Sequence, residues 1–388
     1  MSEADYLPNL TPIRGITAIL VAAFHFHFFL GPLVPYQSES ILNKFYLMVD
    51  LFFVLSGFIM CYVYHRTFSQ KLTFNSYTGF LGMRLARIYP LYIITLGAEV
   101  LIFLCFVVSG TFEELPRTRQ YAYRLDALPA NILFLQTNGF FDFATWNMPA
   151  WSLSAEWWAY MLFPVLFLAV HRTKMKNGLI LMVLAIMGWL LIEYVLAGHE
   201  PFLNRPPNPN HTSLDVNWHF GTFRGIIGFV AGMATWQIYR HFPLQKIMGS
   251  SVTLLLTCIA CIIVMHFQLS DTLIVLTFPI IILSLAYGSQ TIDRIFRFSP
   301  LKKLGDWSFS IYMWHQVLIN LTTAYLFLEH GERLMRPFRE MNIMFLYALL
   351  VVYLIIVCLV GWMSYRFLER PTRRALQTWG KSRLTNYV

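Results

Sequence analysis

Ten apolar runs, each about long enough to cross a lipid bilayer, follow one another along the 388 residues of this chain. A helix needs about 20 apolar residues to cross a hydrocarbon core of roughly 30 Å. The runs lie near residues 10 to 30, 46 to 65, 86 to 109, 151 to 170, 178 to 197, 219 to 238, 251 to 267, 272 to 288, 308 to 328 and 343 to 365. This pattern predicts an all-α, polytopic transmembrane helix bundle of about ten spans.

The charged residues are few and unevenly distributed. Hydrophobic residues make up 57% of the chain and charged residues 13%, against roughly 25% charged in a soluble domain. With the N-terminus in the cytoplasm, most of the 29 lysines and arginines fall in cytoplasmic connections. The positive-inside rule therefore predicts an inner-membrane protein with both termini cytoplasmic. The net charge of +9 is explained by the lipid bilayer as the partner of the chain, and no nucleic acid is expected as a partner.

The cysteines and the N-terminal residues indicate whether disulfides, a metal site or a cleaved signal segment are to be expected. All five cysteines fall in apolar runs, so a disulfide framework is not expected. Cys258 and Cys261 have no second pair to complete a zinc site, and no metal is expected. The first residues lack a basic segment with a small-residue cleavage site, so the first apolar run is predicted to be a retained span.

Two long connections lie on the side predicted to face away from the cytoplasm. They comprise residues 110 to 150 and 198 to 218, and ordered loops of this length often carry binding surfaces. The sequence contains no visible internal repeat, which argues against the inverted-repeat architectures of many transporters.

Arg14 and His25 share one face of the first predicted helix. Their spacing of eleven residues corresponds to about 1100° of rotation and places His25 about 16 Å deeper than Arg14. A neutral imidazole can accept a proton, so His25 is suited to be a general base. The alternative is structural: His25 bonds a neighbouring helix and Arg14 extends to lipid headgroups. His27 lies about 200° away from His25 and is expected to be structural.

Arg84 and Arg87 lie three residues apart at the start of the third span and therefore on one side of that helix. The planar guanidinium group suits bidentate phosphate binding, and the cytoplasmic rim is where a phosphate of coenzyme A would lie. The pair is therefore a candidate phosphate clamp. A positive-inside anchor is the alternative.

Three further residues in apolar surroundings are candidates for chemistry. Glu156, one turn from Ser152, is predicted to be catalytic or to orient the histidine, since an intramembrane carboxylate usually has a partner or a function. Asp50 receives the same argument but lies near the outer end of its span and could be interfacial. For His315, two turns inside the ninth span, a structural role is favoured.

Six segments of the sequence, in order, resemble the acyltransferase-3 family of membrane proteins, which O-acetylate bacterial surface polysaccharides, lipopolysaccharide and related glycolipids. They are Arg14 and His25 with ten residues between them, VDLFFVLSGFIM, RLARIYPLY, PAWSLSAEWWAYMLFP, GDWSFSIYMWH and Glu369-Arg-Pro371. The similarity covers nearly the whole chain.

The resemblance implies a ten-helix bundle that receives acyl-CoA, by default acetyl-CoA, from the cytoplasm. It implies that His25 is the essential catalytic histidine and that Arg84 with Arg87 binds the nucleotide end of coenzyme A. It also implies that Arg14 stands beside the donor channel. Glu156 matches the family's glutamate in its segment.

Many relatives carry an additional C-terminal esterase-like domain, and this chain is expected to be the stand-alone form. The expected division is a transmembrane acyltransferase domain over residues 1–370 and a short basic cytoplasmic tail over residues 371–388.

The predicted reaction is the transfer of an acyl group to a hydroxyl of a glycan, glycolipid or other acceptor, with His25 removing the hydroxyl proton. A covalent acyl-histidine is the rival route. A transporter or flippase is the alternative from another class, because Asp50, Glu156 and His25 could line a path. A non-catalytic scaffold is a second one. No motif identifies the acceptor or the oligomeric state.

Overall fold

The computed structural model describes residues 7–31, 33, 40–70, 72–171, 176–200, 212–330 and 342–376, and these residues contain helices and turns but no β-strand. The principal helices are α1 (Leu10–Phe29), α2 (Met48–Gln70), α3 (Phe74–Val108), α4 (Trp151–His171), α5 (Lys176–Tyr194), α6 (Gly221–His241), α7 (Ser251–His266), α8 (Thr277–Tyr287), α9 (Ser299–His330) and α10 (Ile343–Ser364). Each predicted apolar run overlaps one of them, but α3 and α9 begin well before their runs, and the run 272 to 288 is divided between the short helix Asp271–Val275 and α8. The all-α prediction is confirmed for the described part of the chain.

Short helices occupy several connections. They are Arg117–Ala122, Leu128–Ile132, Gln245–Met248, Asp271–Val275 and Gln290–Phe296, with 3₁₀ turns at Ile41–Leu47, Phe112–Glu114, Leu125–Ala127, Met148–Ala150 and Leu196–His199. A π-helical turn, Tyr365–Glu369, follows α10, and the helical segment continues to residue 376. It passes the predicted domain boundary at residue 370 without a break. The predicted tail beyond residue 376 lies outside the described residues.

Fewer helices than ten meet the length and composition of a membrane span. Among the described residues five helical segments do, and six if the bent pair Asp271–Tyr287 and Gln290–Phe296 counts as one span. α5 and α7 are apolar but shorter. α6 packs against α2, α4 and α5, and α9 packs against α1, α3 and α10. A helix surrounded by other helices can carry polar residues that lipid would not tolerate. Ten spans and cytoplasmic termini stay predictions.

Helices α1 and α9 run parallel and meet backbone to backbone. A Cβ atom added to Gly15 would lie 2.6 Å from the backbone nitrogen of Gly305, and one added to Gly305 would lie 2.1 Å from the carbonyl oxygen of Thr11. Small residues permit such an approach. His25 and His315, each ten residues beyond its glycine, are also in contact. The two helices therefore keep one register over about 15 Å.

Helices α2 and α6 also pack closely against each other, and a buried ion pair joins them. Arg224 donates from Nε to Oδ1 of Asp50 at 3.0 Å and from Nη2 to Oδ2 at 2.6 Å. Both side chains are fully buried, and the guanidinium lies 5.0 Å from the ring of Trp151. Asp50 is therefore fully buried and has Arg224 as its ion-pair partner.

The two ends of the bundle differ in chemistry. The arginine end, where α1, α3 and α9 begin, carries Arg14, Arg84 and Arg87, and the charge distribution predicts it to be cytoplasmic. The loop end, where α3 ends and α4 begins, carries the connection of residues 109–150. All three candidate arginines thus lie at the end opposite to this long connection.

Candidate active site

His25 and His315 lie side by side in the interior of the bundle. Nδ1 of His25 is 3.1 Å from Nε2 of His315, and the ring centroids are 4.9 Å apart. His25 is 7% exposed and His315 is 0% exposed. The partner of the predicted base is therefore a second histidine, for which the sequence favoured a structural role.

Backbone carbonyl groups determine which nitrogen of each ring carries the proton. Nδ1 of His315 lies 2.5 Å from the carbonyl oxygen of Tyr312, so it donates there and Nε2 keeps its lone pair. Nδ1 of His25 faces that lone pair and also lies 3.0 Å from the carbonyl oxygen of Val21. With two acceptors before it, Nδ1 of His25 carries the proton. The hydrogen-bond network therefore leaves Nε2 of a neutral His25 unprotonated, able to accept a proton or to act as a nucleophile.

The segment of α9 that carries His315 is hydrogen-bonded to two neighbouring parts of the structure. Tyr353 donates its hydroxyl to the carbonyl oxygen of His315 at 3.0 Å. The Tyr312 hydroxyl lies 2.6 Å from Oγ of Ser152 and 3.0 Å from the carbonyl oxygen of Pro149. These contacts join the part of α9 that carries His315 to α10 and to the start of α4.

His27 contacts residues other than those that surround His25 and His315. Its Nδ1 accepts from the backbone N–H of Leu33 at 2.9 Å, and its Nε2 lies 3.2 Å from Oδ1 of Asn43. These partners belong to the connection after α1. The structure thus brings only one of the two neighbouring histidines to His315.

The three predicted arginines project into one region at the arginine end. Arg84 donates from Nη2 to the Tyr64 hydroxyl at 2.8 Å, and its buried Nε has no hydrogen-bond partner. Nη1 of Arg87 lies 3.3 Å from Oε1 of Glu369. Arg14 is close enough to Arg87 for electrostatic interaction. Convergent cations with one unused donor are suited to bind an anion.

Glu156 lies near this basic region rather than at the histidine pair. Its Oε1 accepts from Oγ of Ser56 at 2.7 Å and from the hydroxyl of Tyr160. It also interacts electrostatically with Arg14. Within the residues described, Glu156 makes no hydrogen bond to His25, so the structure does not bring the two predicted catalytic residues together.

Glu369 is a residue near the arginines whose individual role was not predicted from the sequence. It is 4% exposed, and its Oε2 accepts from Oγ of Ser310 at 2.8 Å. Its Oε1 faces Arg87 and, at 3.7 Å, Arg373. The π-helical turn that carries Glu369 widens the helix by one residue, and turns of this type are frequent at functional sites. Glu369 therefore joins the turn after α10 to Arg87 of α3.

Glu99 is a second residue that sequence reasoning missed. It is fully buried on α3, and Nδ2 of Asn320 donates to both of its oxygens, at 2.9 and 3.0 Å. Tyr123 donates its hydroxyl to Oε2 at 3.3 Å. The signal was present, because a carboxylate in an apolar run is the same observation that singled out Glu156.

No cluster of three or more His, Cys, Asp or Glu side chains suited to a metal ion occurs in the described ranges. The five cysteines are free thiols. The functional groups brought together are therefore imidazoles, guanidinium groups and carboxylates.

The chain resembles known acyltransferases over nearly its whole length. The O-acetyltransferase OatA of Staphylococcus aureus is 24% identical, over 96% of this chain and 58% of the relative. The peptidoglycan O-acetyltransferase OatA of Listeria monocytogenes is 23% identical, over 95% of this chain and 56% of the relative. The chain thus spans less than three fifths of the length of these relatives. No solved structure matches it significantly.

A family model described as an acyltransferase domain matches residues 8–363. That range contains α1 to α9, nearly all of α10, the histidine pair and the three arginines. The chain therefore belongs to the acyltransferase-3 family.

Proposed function

We propose that this protein is an inner-membrane O-acyltransferase that moves an acyl group, acetyl by default, from cytoplasmic acyl-CoA to a hydroxyl of a surface glycan or glycolipid. The observation that carries the proposal is the hydrogen-bonded pair of His25 and His315, which leaves Nε2 of His25 as a free base inside the bundle. Membership of an acyltransferase family supplies the reaction class.

The arginine end is the proposed donor site. Coenzyme A has phosphates at one end of an extended pantetheine arm and the thioester at the other. Arg14 lies eleven residues before His25 on α1, a separation of about 16 Å along the helix. Arg84 and Arg87, both on the first half of α3, would bind the phosphates. A basic region and a deep base at this separation match the two ends of one acyl-CoA.

The proposed reaction begins when Nε2 of His25 accepts the proton of the acceptor hydroxyl. The oxygen then attacks the thioester carbonyl, the C–S bond breaks, and the new ester keeps the acyl group. The imidazolium returns its proton to the departing thiolate, which leaves as coenzyme A. An acyl-histidine intermediate would use the same nitrogen as nucleophile.

Glu156 stays a predicted catalytic residue, and its contacts favour action through Arg14 rather than through His25. The carboxylate is held by Ser56 and Tyr160 and lies in electrostatic range of the Arg14 guanidinium. We propose that it keeps Arg14 beside the donor channel. Glu369 would do the same for Arg87.

The acceptor is proposed to be a glycan hydroxyl that arrives from the loop end. The curated relative from Listeria is named for peptidoglycan O-acetylation, and peptidoglycan is therefore the first acceptor to examine. The expected cytoplasmic termini place the loop end on the far side of the membrane. Acyl-CoA and glycan would then approach His25 from opposite ends of the bundle.

The deciding experiment measures release of coenzyme A thiol and formation of sugar esters by the purified protein in nanodiscs, with acetyl-CoA and a peptidoglycan-derived disaccharide. In parallel, mass spectrometry of surface glycans compares cells with the wild type, with the His25→Ala variant and without the protein. Esters that depend on an intact His25 support the proposal. A catalytically silent wild type together with unchanged surface glycans would refute it.

A further inference from the structure

A group of buried amide and carboxyl side chains lies between the histidine pair and the loop end. Gln316 follows His315 in α9, and its Nε2 donates to Oδ1 of Asn320 at 3.0 Å. Asn320 in turn donates to both oxygens of Glu99. Because four residues of helix rise by about 6 Å, this chain of hydrogen bonds leads from the base toward the loop end.

Two oxygen atoms beside this chain have no hydrogen-bond donor within the described part of the protein. They are Oε1 of Gln316 and Oδ1 of Asn147, on residues that are 2% and 1% exposed. Asn147 is tied to the same stretch of α9, since its Nδ2 donates to the carbonyl oxygen of Met313 at 3.2 Å. Buried acceptors without a donor are rare in folded proteins, and a bound hydroxyl group would satisfy them.

Glu99 gives a second, independent observation. It is fully buried and takes part in no ion pair among the residues described. The nearest cation is Arg119, whose Nη1 lies 3.5 Å from Oδ1 of Asn320. A membrane-buried carboxylate held by neutral donors is a default candidate for a binding function.

An open cleft of the surface lies next to the short helix that carries Arg119. Arg119 belongs to the short helix Arg117–Ala122, which borders an open cleft of about 670 Å³ at the loop end. Glu113, Arg117 and Gln120 are among the residues that line the cleft. Next to this cleft, Arg119 contacts Asn320, and Asn320 accepts from Gln316, the residue that follows His315 in α9.

We propose that Glu99, Asn147, Gln316 and Asn320 form the binding site of the acceptor, with Arg119 at its entrance. The ligand is a hydroxyl-rich sugar unit, because closely spaced hydroxyl groups both donate to the free amide oxygens and accept from amide N–H groups. This inference rests on the proposed function and names the site that presents the acceptor hydroxyl to Nε2 of His25.

The test separates acceptor binding from donor chemistry. Gln316→Met keeps the side-chain length and removes the amide, and Arg119→Gln removes the entrance cation from a half-buried position in the short helix Arg117–Ala122. Purified variants are assayed with the N-acetylglucosamine–N-acetylmuramic acid disaccharide as acceptor, and for hydrolysis of acetyl-CoA without acceptor. Each variant should raise the acceptor KM by about three- to tenfold, as expected for one lost hydrogen bond. Hydrolysis of acetyl-CoA should stay within twofold of the wild type.

Gln136→Met is the matched control. Gln136 is also a buried glutamine with an unpartnered Oε1, but its amide donates to the backbone carbonyl oxygen of Ala150 and not to a side chain of the proposed site. Its acceptor KM should not change. If Gln316→Met does not fold, Arg119→Gln decides alone.

Three outcomes would overturn the assignment. The first is an acceptor KM within twofold of the wild type in the folded variants, and the second is an equal rise in Gln136→Met. The third is a wild type that hydrolyses acetyl-CoA but never acylates the disaccharide, which removes the sugar as ligand. These outcomes differ from the failure of the proposed function itself, which is a wild type without any turnover of acetyl-CoA together with unchanged surface glycans.

Discussion

Nε2 of His315 lies 3.1 Å from Nδ1 of His25, and one imidazole thereby holds the proton of the other in place. Each ring also bonds a backbone carbonyl of its own helix, at Val21 and Tyr312. The lone pair that remains, on Nε2 of His25, is the atom on which the proposed chemistry depends.

The first prediction compares the two neighbouring histidines of α1. His25→Ala should lower turnover by about a hundredfold or more with nearly unchanged donor affinity, because the lost interaction belongs to the transition state. His27→Ala should keep most of its turnover, since its partners are Leu33 and Asn43. Acyl transfer is measured after gel filtration has shown both variants to be folded. Near-normal transfer by His25→Ala would exclude it as the base.

The second prediction concerns His315 as a positioning residue. His315→Leu should lower kcat by about tenfold or more without raising the donor KM, because Nδ1 of His25 loses one of its two acceptors and the reactive tautomer is less favoured. His315→Gln, whose amide oxygen can accept from Nδ1, should recover much of the loss. A purely structural role predicts no difference in kcat between Leu and Gln variants of equal thermal stability.

The third prediction concerns the donor. Replacing Arg84 and Arg87 together by alanine should weaken acetyl-CoA binding by about 2 to 5 kcal/mol, since charge-assisted contacts are each worth about 1.5 to 3 kcal/mol. Arg297→Ala is the control, because Arg297 is exposed and paired with Asp293 at 2.9 Å. Calorimetry on the purified proteins measures the affinities. Equal affinity in the double variant and the wild type would remove the phosphate clamp.

The fourth prediction concerns the Asp50–Arg224 ion pair. Asp50→Asn should destabilise the protein by about 3 to 5 kcal/mol, because the buried guanidinium loses its bidentate carboxylate and keeps only the more distant, partly exposed Asp215, 3.4 Å from Nη1. The double variant Asp50→Leu with Arg224→Met should be less destabilised than the single one, since no fully buried charge is left unpaired and the carboxylate of Asp215 is 30% exposed. Thermal unfolding in detergent measures the order of stability. A single variant as stable as the wild type would show that the pair contributes little.

The fifth prediction concerns orientation. Cysteines introduced at Asp126, in the loop-end connection, and at Arg297, at the arginine end, occupy exposed positions. On intact cells an impermeant thiol reagent should label the first and not the second. The unmodified chain gives the background from its native cysteines. Preferential labelling at position 297 would invert the proposed topology.

The sequence predicted helices well, because the length of an apolar run is a local property. It placed α9 too short: the helix begins at Ser299, before the apolar run, where Lys302, Lys303 and Asp306 are helical without being apolar. The helical face shared by Arg14 and His25 was likewise predictable from spacing alone.

The partners across helices were not predictable in the same way. His25 and His315 are 290 residues apart, and Arg87 meets Glu369 only because α3 and the end of α10 lie at the same end of the bundle. Such contacts depend on the three-dimensional packing of helices, which no local pattern specifies. Glu99 was overlooked although it satisfies a local criterion, that of a carboxylate within an apolar run.

A tilt of α1 about its backbone contact between Gly15 and Gly305 would displace the residues that lie far from that contact. The contact is the pivot, and His25 lies ten residues away, at a radius of about 15 Å. A tilt of α1 by about 5° around that point would move the imidazole by about 1.3 Å, enough to break its bond to His315. The distance between the two rings is therefore sensitive to the approach of two glycines about 15 Å away, far from any reacting atom.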